Sequence, residues 1–211
     1  MRPMIKAYLA ALLLASGPVA AEDFDYYVLA LSWTPSFCAS GSAAGDEDGP
    51  GGQCDPDRDL GFTLHGLWPQ WDAGGWPEYC ETDARDPSRR ETAAMADIMG
   101  SGGLAWYQWK KHGRCSGLEA GRYFRLSRAL YQALDLSVPT ARRLSAAELE
   151  EAFRAANPDF PPDSVIVTCR ARAIREIRLC IGTDLEPRPC GRDVLADACR
   201  SGGPQEFPPV P

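Results

Sequence analysis

The chain holds two histidines, His65 in FTLHGLWPQ and His112 in WYQWKKHGRC, and each is followed directly by glycine in a tryptophan-rich stretch. An imidazole, with an unperturbed pKa of about 6.5, can take or give a proton near neutral pH. Two of them could serve as the base and the acid of one reaction. A glycine beside each lets the chain turn tightly and a ligand approach the main chain. Each could equally be a packed structural histidine, and the pattern alone leaves both readings open.

Charge adds direction. Residues 106–130 carry six bases and one acid, whereas residues 42–91 carry twelve acids and four bases. A solvated helix face explains many basic runs, but this one contains His112 and suits a phosphate-bearing substrate. A net charge of -7 speaks against nonspecific nucleic-acid adhesion, which wants a basic surface overall. No acid cluster accompanies the histidines as a metal-dependent nuclease would require. No metal and no cofactor are expected.

The start of the chain reads as an export signal: Arg2 and Lys6 precede an apolar run over 7–15, and Val19, Ala20 and Ala21 offer a cleavage point. The run is too short to span a bilayer, and no stable membrane association is expected. Cleavage after residue 21 leaves one domain over 22–211 with a net charge of -9. Its eight cysteines, Cys38, Cys54, Cys80, Cys115, Cys169, Cys180, Cys190 and Cys199, include no CxxC pair. They read as disulfide staples in an oxidising compartment, periplasmic or extracellular, rather than as zinc or redox sites. The protein is expected to be a monomer.

The elements that must position the histidines follow from periodicity and breakers. Residues 24–32 (FDYYVLALS) read as a buried strand, 39–52 as an acidic, glycine-rich loop, and 61–64 as a short strand delivering His65. Residues 68–79, with two prolines and three tryptophans, read as a loop. Ser88 can cap a helix running to Met99 and stopped by Gly100, and a helix over 104–111 would carry His112. Residues 123–134 have helical spacing, and Ser145 with Glu148 forms a capping box ahead of a helix to about Ala156. VIVTC (165–169) and IREIRLCI (174–181) alternate as antiparallel strands. The expected class is α+β, a small antiparallel sheet packed with several helices.

Leu64 to Pro69 and, in part, Tyr107 to Cys115 resemble the two signatures of the T2 ribonucleases, xLHGLWP and HEWxKHGTC. The opening FDYYVLALSWTPSFC and the tail from Cys169 through IREIRLC to Cys190 also look like that family's first strand and C-terminal sheet. The resemblance implies a metal-free endoribonuclease whose substrate partner is single-stranded RNA. The ribose 2′-hydroxyl attacks the neighbouring phosphorus, giving a 2′,3′-cyclic phosphate that water then opens. By the same resemblance His112 is the general base, His65 the general acid, and Lys111 stabilises the transition-state charge. Trp68 stacks on a base, and Gln70 lies where relatives often carry an acid, next to the base. Trp71, Trp76 and Trp106 are weaker candidates for the same stacking, with packing the favoured reading, and Lys110 reads as a solvated charge.

Three positions depart from the second signature. Tyr107 and Gln108 replace histidine and glutamate, and Arg114 replaces threonine. Gln108 can donate a hydrogen bond to a phosphoryl oxygen but carries no charge, and Tyr107 can donate from its hydroxyl to phosphate. The acid-base pair remains, so a working, slower enzyme is expected. The alternative is a noncatalytic RNA- or protein-binding member of the same fold; a third reading is a secreted scaffold with both histidines buried. The resemblance also implies the pairing Cys38–Cys54, Cys80–Cys115, Cys169–Cys199 and Cys180–Cys190.

Overall fold

The computed structural model describes residues 23–41, 52–137 and 139–210. The expected export segment and most of the acidic loop lie outside the described residues. The centre of the fold is an antiparallel sheet. Strand β1 (Tyr26–Trp33) pairs on one side with β2 (Phe62–Gln70) and on the other with β5 (Ala173–Gly182), whose outer edge takes β4 (Val165–Arg170). Two short strands extend one end: β6 (Gln205–Glu206) meets β5 in a single parallel pair, and β3 (Arg143–Leu144) pairs with β6. Helices α1 (Thr34–Ala39), α2 (Arg89–Ala93), α3 (Ala96–Met99), α4 (Gly102–Lys111), α5 (Ala120–Gln132), α6 (Ala146–Ala156) and α7 (Arg192–Ala196) complete the α+β fold.

Strand alternation divides the sheet into unlike faces. Tyr27, Leu29, Leu31 and Trp33 join Leu64 and Leu67 of β2, Ile177, Leu179 and Ile181 of β5, and Val165 and Val167 of β4 in the main core. Trp109 of α4, Tyr123 and Phe124 of α5, and Leu149 and Phe153 of α6 pack on that face. A register slip of one residue would turn every one of these side chains outward. Each fully buried Leu or Phe is worth roughly 1.5–3 kcal/mol, so the register is strongly held. The other face carries a smaller cluster of Tyr26, Val28, Ala30, Ile166 and Cys180, with Trp68 against it. Its cross-strand pairs Ala30–Arg178 and Ser32–Glu176 put charge on this face beside apolar residues.

Two elements differ from the sequence reading. Strand β2 does not stop at Leu64 but runs through His65, Trp68 and Pro69 to Gln70, so the expected loop starts at Trp71. A proline fits here because β2 is an edge strand, where a missing N–H costs no ladder bond. The expected helix over 88–99 is two helices. Ser88 and Glu91 form the capping box of α2, but the Arg128 guanidinium takes the Ala94 carbonyl at 2.6 Å, and Ile98 N–H donates to Met95 rather than to Ala94. The helix is interrupted there, and Gly100, with φ 86°, ends α3. The capping box of Ser145 and Glu148 opens α6. Disulfides join Cys38–Cys54, Cys80–Cys115, Cys169–Cys199 and Cys180–Cys190. No helix among the described residues is long and apolar enough to cross a membrane.

Candidate active site

His65 stands at an irregularity in β2. Ala30 pairs with Gly66 and Leu31 with Leu64, which leaves His65 as an extra residue with no register partner. Such a bulge re-aims a side chain. Here it brings the imidazole out of the core sequence and edge-on to Trp68, with ring centroids 5.1 Å apart and planes at 81°. Nδ1 of His65 lies 2.7 Å from Oε1 of Glu176, a β5 side chain only 2 % exposed. Burial pushes the Glu176 carboxyl up, but the hydrogen bond from His65 and the charges of His65, Arg178 and Arg175 together outweigh it and hold the group at about 2. The carboxylate is therefore an acceptor, and Nδ1 of His65 is the donor.

His112 is set by α4. Ser101 caps the helix by accepting from Leu104 N–H at 3.1 Å, and Trp109, fully buried, roots it in the core. The Trp109 indole donates to Asp86 at 2.9 Å, and Arg114 holds the same carboxylate at 2.7 and 2.9 Å. Arg114 thus serves as an anchor below the site. His112 closes the helix, its N–H donating to the Gln108 carbonyl at 2.9 Å. The following Gly113 has no room for a Cβ, which would stand 3.0 Å from Tyr123 Cε1. The His112 ring is buried and tilted against Trp68 at 5.3 Å, and its Nδ1 has no hydrogen-bond partner among the described residues. Burial, reinforced by the positive charges of Lys111 and His65, pushes His112 down to about 3. It is neutral at physiological pH, the state a general base requires.

Trp68 links the two histidines. Arg178 lies over its ring at 5.4 Å, and its indole N–H donates to Oε1 of Gln108 at 2.7 Å. Gln108 is 1 % exposed. Lys111 Nζ sits 3.4 Å from Glu78 Oε2, and its carbonyl accepts from Tyr79 N–H at 2.8 Å. The half-exposed Tyr107 accepts a hydrogen bond from the Tyr79 hydroxyl at 3.4 Å. Gln70 is buried, its amide donating to the adjacent Pro69 carbonyl at 2.9 Å.

All seven non-cysteine residues singled out in the sequence, His65, Trp68, Gln70, Tyr107, Gln108, Lys111 and His112, line one cleft of about 380 Å³ together with Arg178. A larger cavity, about 660 Å³, opens on the other side of His65 toward Ser32, Gln53, Leu104 and Arg175. His65 is the wall the two spaces share. Glu176 and Arg178 escaped the sequence reading. Their signal is two charges two residues apart within the IREIRLC strand, alternating with Ile177 and Leu179, which face the core. No group of three or more His, Cys, Asp or Glu side chains among the described residues could hold a metal.

Comparison with known proteins gives concordant results. The family model described as "Ribonuclease T2 family" matches residues 24–190. A ribonuclease of Aeromonas hydrophila is 42 % identical over 112 residues, covering 53 % of this chain and 47 % of the relative. The chain spans about half the length of the first named relatives it matches. Among solved structures, an RNase-related protein from Calystegia sepium superposes with a TM-score of 0.68 at 22 % identity, covering 89 % of this chain and 98 % of that one. RNase NT in complex with 5′-AMP gives 0.57 at 21 % identity, with 89 % and 100 % covered. At those identities the structural likeness speaks for the fold, whereas the family model spans both histidine motifs and most of the described chain: the chain belongs to the ribonuclease T2 family.

Proposed function

We propose that this protein is an endoribonuclease that cleaves single-stranded RNA without a metal. His112 Nε2 takes the proton of the ribose 2′-hydroxyl as its oxygen attacks phosphorus. His65 gives a proton to the departing 5′-oxygen, leaving a 2′,3′-cyclic phosphate. In the second step His65 takes a proton from water, the water oxygen attacks phosphorus, and His112 returns its proton to the 2′-oxygen, giving a 3′-phosphate. Each proton transfer is worth about 10²- to 10⁴-fold in rate. The observation that carries this reading is a neutral, buried His112 and a carboxylate-anchored His65, both packed against the indole of Trp68 in one cleft.

The remaining groups fit the charge that develops. Lys111 brings an ammonium to the non-bridging oxygens, an effect of about 3 kcal/mol in comparable sites. The Gln108 amide nitrogen and the Tyr107 hydroxyl can donate to the same oxygens. Trp68 and Gln70 flank the position of the base. Four disulfides suit an exported protein of the periplasm or the medium, acting as a monomer on RNA. The test is digestion of RNA by the purified protein in excess chelator, with the products separated: cyclic phosphates that convert to 3′-phosphates are expected. Loss of all turnover on adding chelator would overturn the metal-free route.

One observation favours a second reading. Gln108 gives the cleft no carboxylate, and its carbonyl oxygen is already engaged by Trp68. A noncatalytic RNA- or protein-binding member of the family would show the same trace turnover in the wild type, His65→Ala and His112→Ala.

A further inference from the structure

We infer that Glu176 is a positioning residue for the reaction, holding His65 so that its free nitrogen, Nε2, presents a proton to the departing 5′-oxygen. This rests on the assignment of His65 as the general acid. The geometry is that of a carboxylate–imidazole couple: Oε1 of Glu176 is 2.7 Å from Nδ1 of His65. The other oxygen, Oε2, is held by the Arg178 guanidinium, with Nε and one terminal nitrogen each at 3.3 Å. The second terminal nitrogen of Arg178 is bound by Asp197 at 2.5 Å. The carboxylate is thereby fixed at both oxygens, and it lies in a strand whose partner, Ser32 of β1, holds it in register across the sheet.

Two further features make the couple more than a chance ion pair. A carboxyl group 2 % exposed is costly to bury unless it is fully bonded, and the partners it has point it at a histidine rather than at bulk solvent. His65 also needs an external anchor. As the unpaired residue of a bulge it lacks the cross-strand neighbour that would fix its side chain, and its side chain is 26 % exposed at the wall between two cavities. Among the described residues the Nδ1 bond is the one hydrogen bond on the ring, and it chooses the ring's orientation together with the edge contact to Trp68. An ionised acceptor at Nδ1 requires a proton there, so the acidic proton transferred in cleavage is the one on Nε2. The same arrangement of an orienting carboxylate behind a histidine governs proton transfer in the Ser-His-Asp enzymes.

A positioning role for the acid differs from a structural role in what it does to the leaving group. A ribonucleoside 5′-oxygen must be protonated as it departs, whereas 4-nitrophenolate departs without a proton. The experiment compares kcat of the full chain and its Glu176→Gln and Glu176→Asp variants on two substrates, a dinucleoside monophosphate and a uridine 3′-(4-nitrophenyl phosphate). Gln keeps the volume and removes the charge; Asp keeps the charge for Arg178 and withdraws it from His65. Circular dichroism and melting confirm that each variant is folded. The expected result is a loss of about 10²-fold or more on the dinucleotide with less than about threefold loss on the aryl ester, matching His65→Ala in direction. Equal losses on both substrates by a folded variant, or no loss on either, would overturn the role of Glu176 while leaving the two-histidine reading intact. If neither variant folds, selective rescue is sought in the wild type with His65→Ala alone: an aryl ester that His65→Ala cleaves no better than the dinucleotide overturns His65 as the acid, and Glu176 with it. A wild-type chain inactive on both substrates overturns both readings together.

Discussion

The indole N–H of Trp68 donates to Oε1 of Gln108 across the α-carbon of Gly66. A Cβ at Gly66 would overlap both atoms of that bond. The glycine of the first histidine motif therefore does a specific job: it clears the space in which β2 and α4 are joined, beside both imidazoles. Gly66→Ala must break the bond or push α4 away. The expected outcome is a loss of about 1–3 kcal/mol of stability and a fall in turnover larger than that loss explains, checked by denaturant unfolding and by dinucleotide cleavage under conditions where the variant is fully folded.

Gln108→Glu should restore charge to the cleft. A carboxylate can still accept from Trp68, and it lies one helical turn before His112, on the same side of α4. Its negative charge opposes the burial and the positive neighbours that hold His112 at about 3. The pKa of His112 should rise and turnover with it. Titration of the two histidine ring signals by NMR checks the first, single-turnover cleavage the second.

What was legible in the sequence was local. The capping boxes of Ser88–Glu91 and Ser145–Glu148 are written within four residues, and the alternation of 165–169 and 174–181 needs no knowledge of the rest of the chain. The histidine motifs were legible because their side-chain chemistry is rare. The bulge at His65 was not, because it exists only against β1, over thirty residues earlier. Glu176 is 111 residues from its histidine, and nothing in IREIRLC says which partner the carboxylate will meet. The break after Ala93 depends on Arg128, 34 residues beyond Ala94. The helical reading of 88–99 was thus right in its start and its stop but overrun at one carbonyl by a tertiary contact.

Stability should fall in two stages on acidification. His112 is held at about 3 in the fold against 6.5 in the open chain, so below about 6.5 the unfolded state takes up the proton first and the fold loses ground. Glu176 is held at about 2 against 4.5; its contribution is present above 4.5 and is lost as pH falls toward 2. Between pH 6.5 and 4.5 the histidine is the main destabilising group, removing about 3 kcal/mol at 1.36 kcal/mol per unit, partly offset by Glu150, whose burial raises its carboxyl and lets the fold take up that proton first. His112→Phe should flatten that upper stage and leave the lower one, which a series of denaturant midpoints from pH 7 to 3 would resolve.

The Cys80–Cys115 bridge ties the loop after the first motif to the end of the second, and two contacts around it act in opposite senses on substrate binding. The bridge spans 35 residues, so the chain-entropy model assigns it about 3–4 kcal/mol. It also keeps Tyr79 N–H on the Lys111 carbonyl and Glu78 beside the Lys111 ammonium. That ion pair is partly solvated and worth less than about 1 kcal/mol, yet Glu78 competes with phosphate for the one lysine of the cleft. Glu78→Gln should leave melting nearly unchanged and lower KM by freeing the ammonium. The double variant Cys80→Ser/Cys115→Ser should melt earlier and raise KM, because the backbone that positions Lys111 is released along with the carboxylate. Melting curves and initial rates on a dinucleotide separate the cases: a KM that falls in both variants would mean that the carboxylate, rather than the placement of Lys111 by the bridge, governs how this cleft holds phosphate.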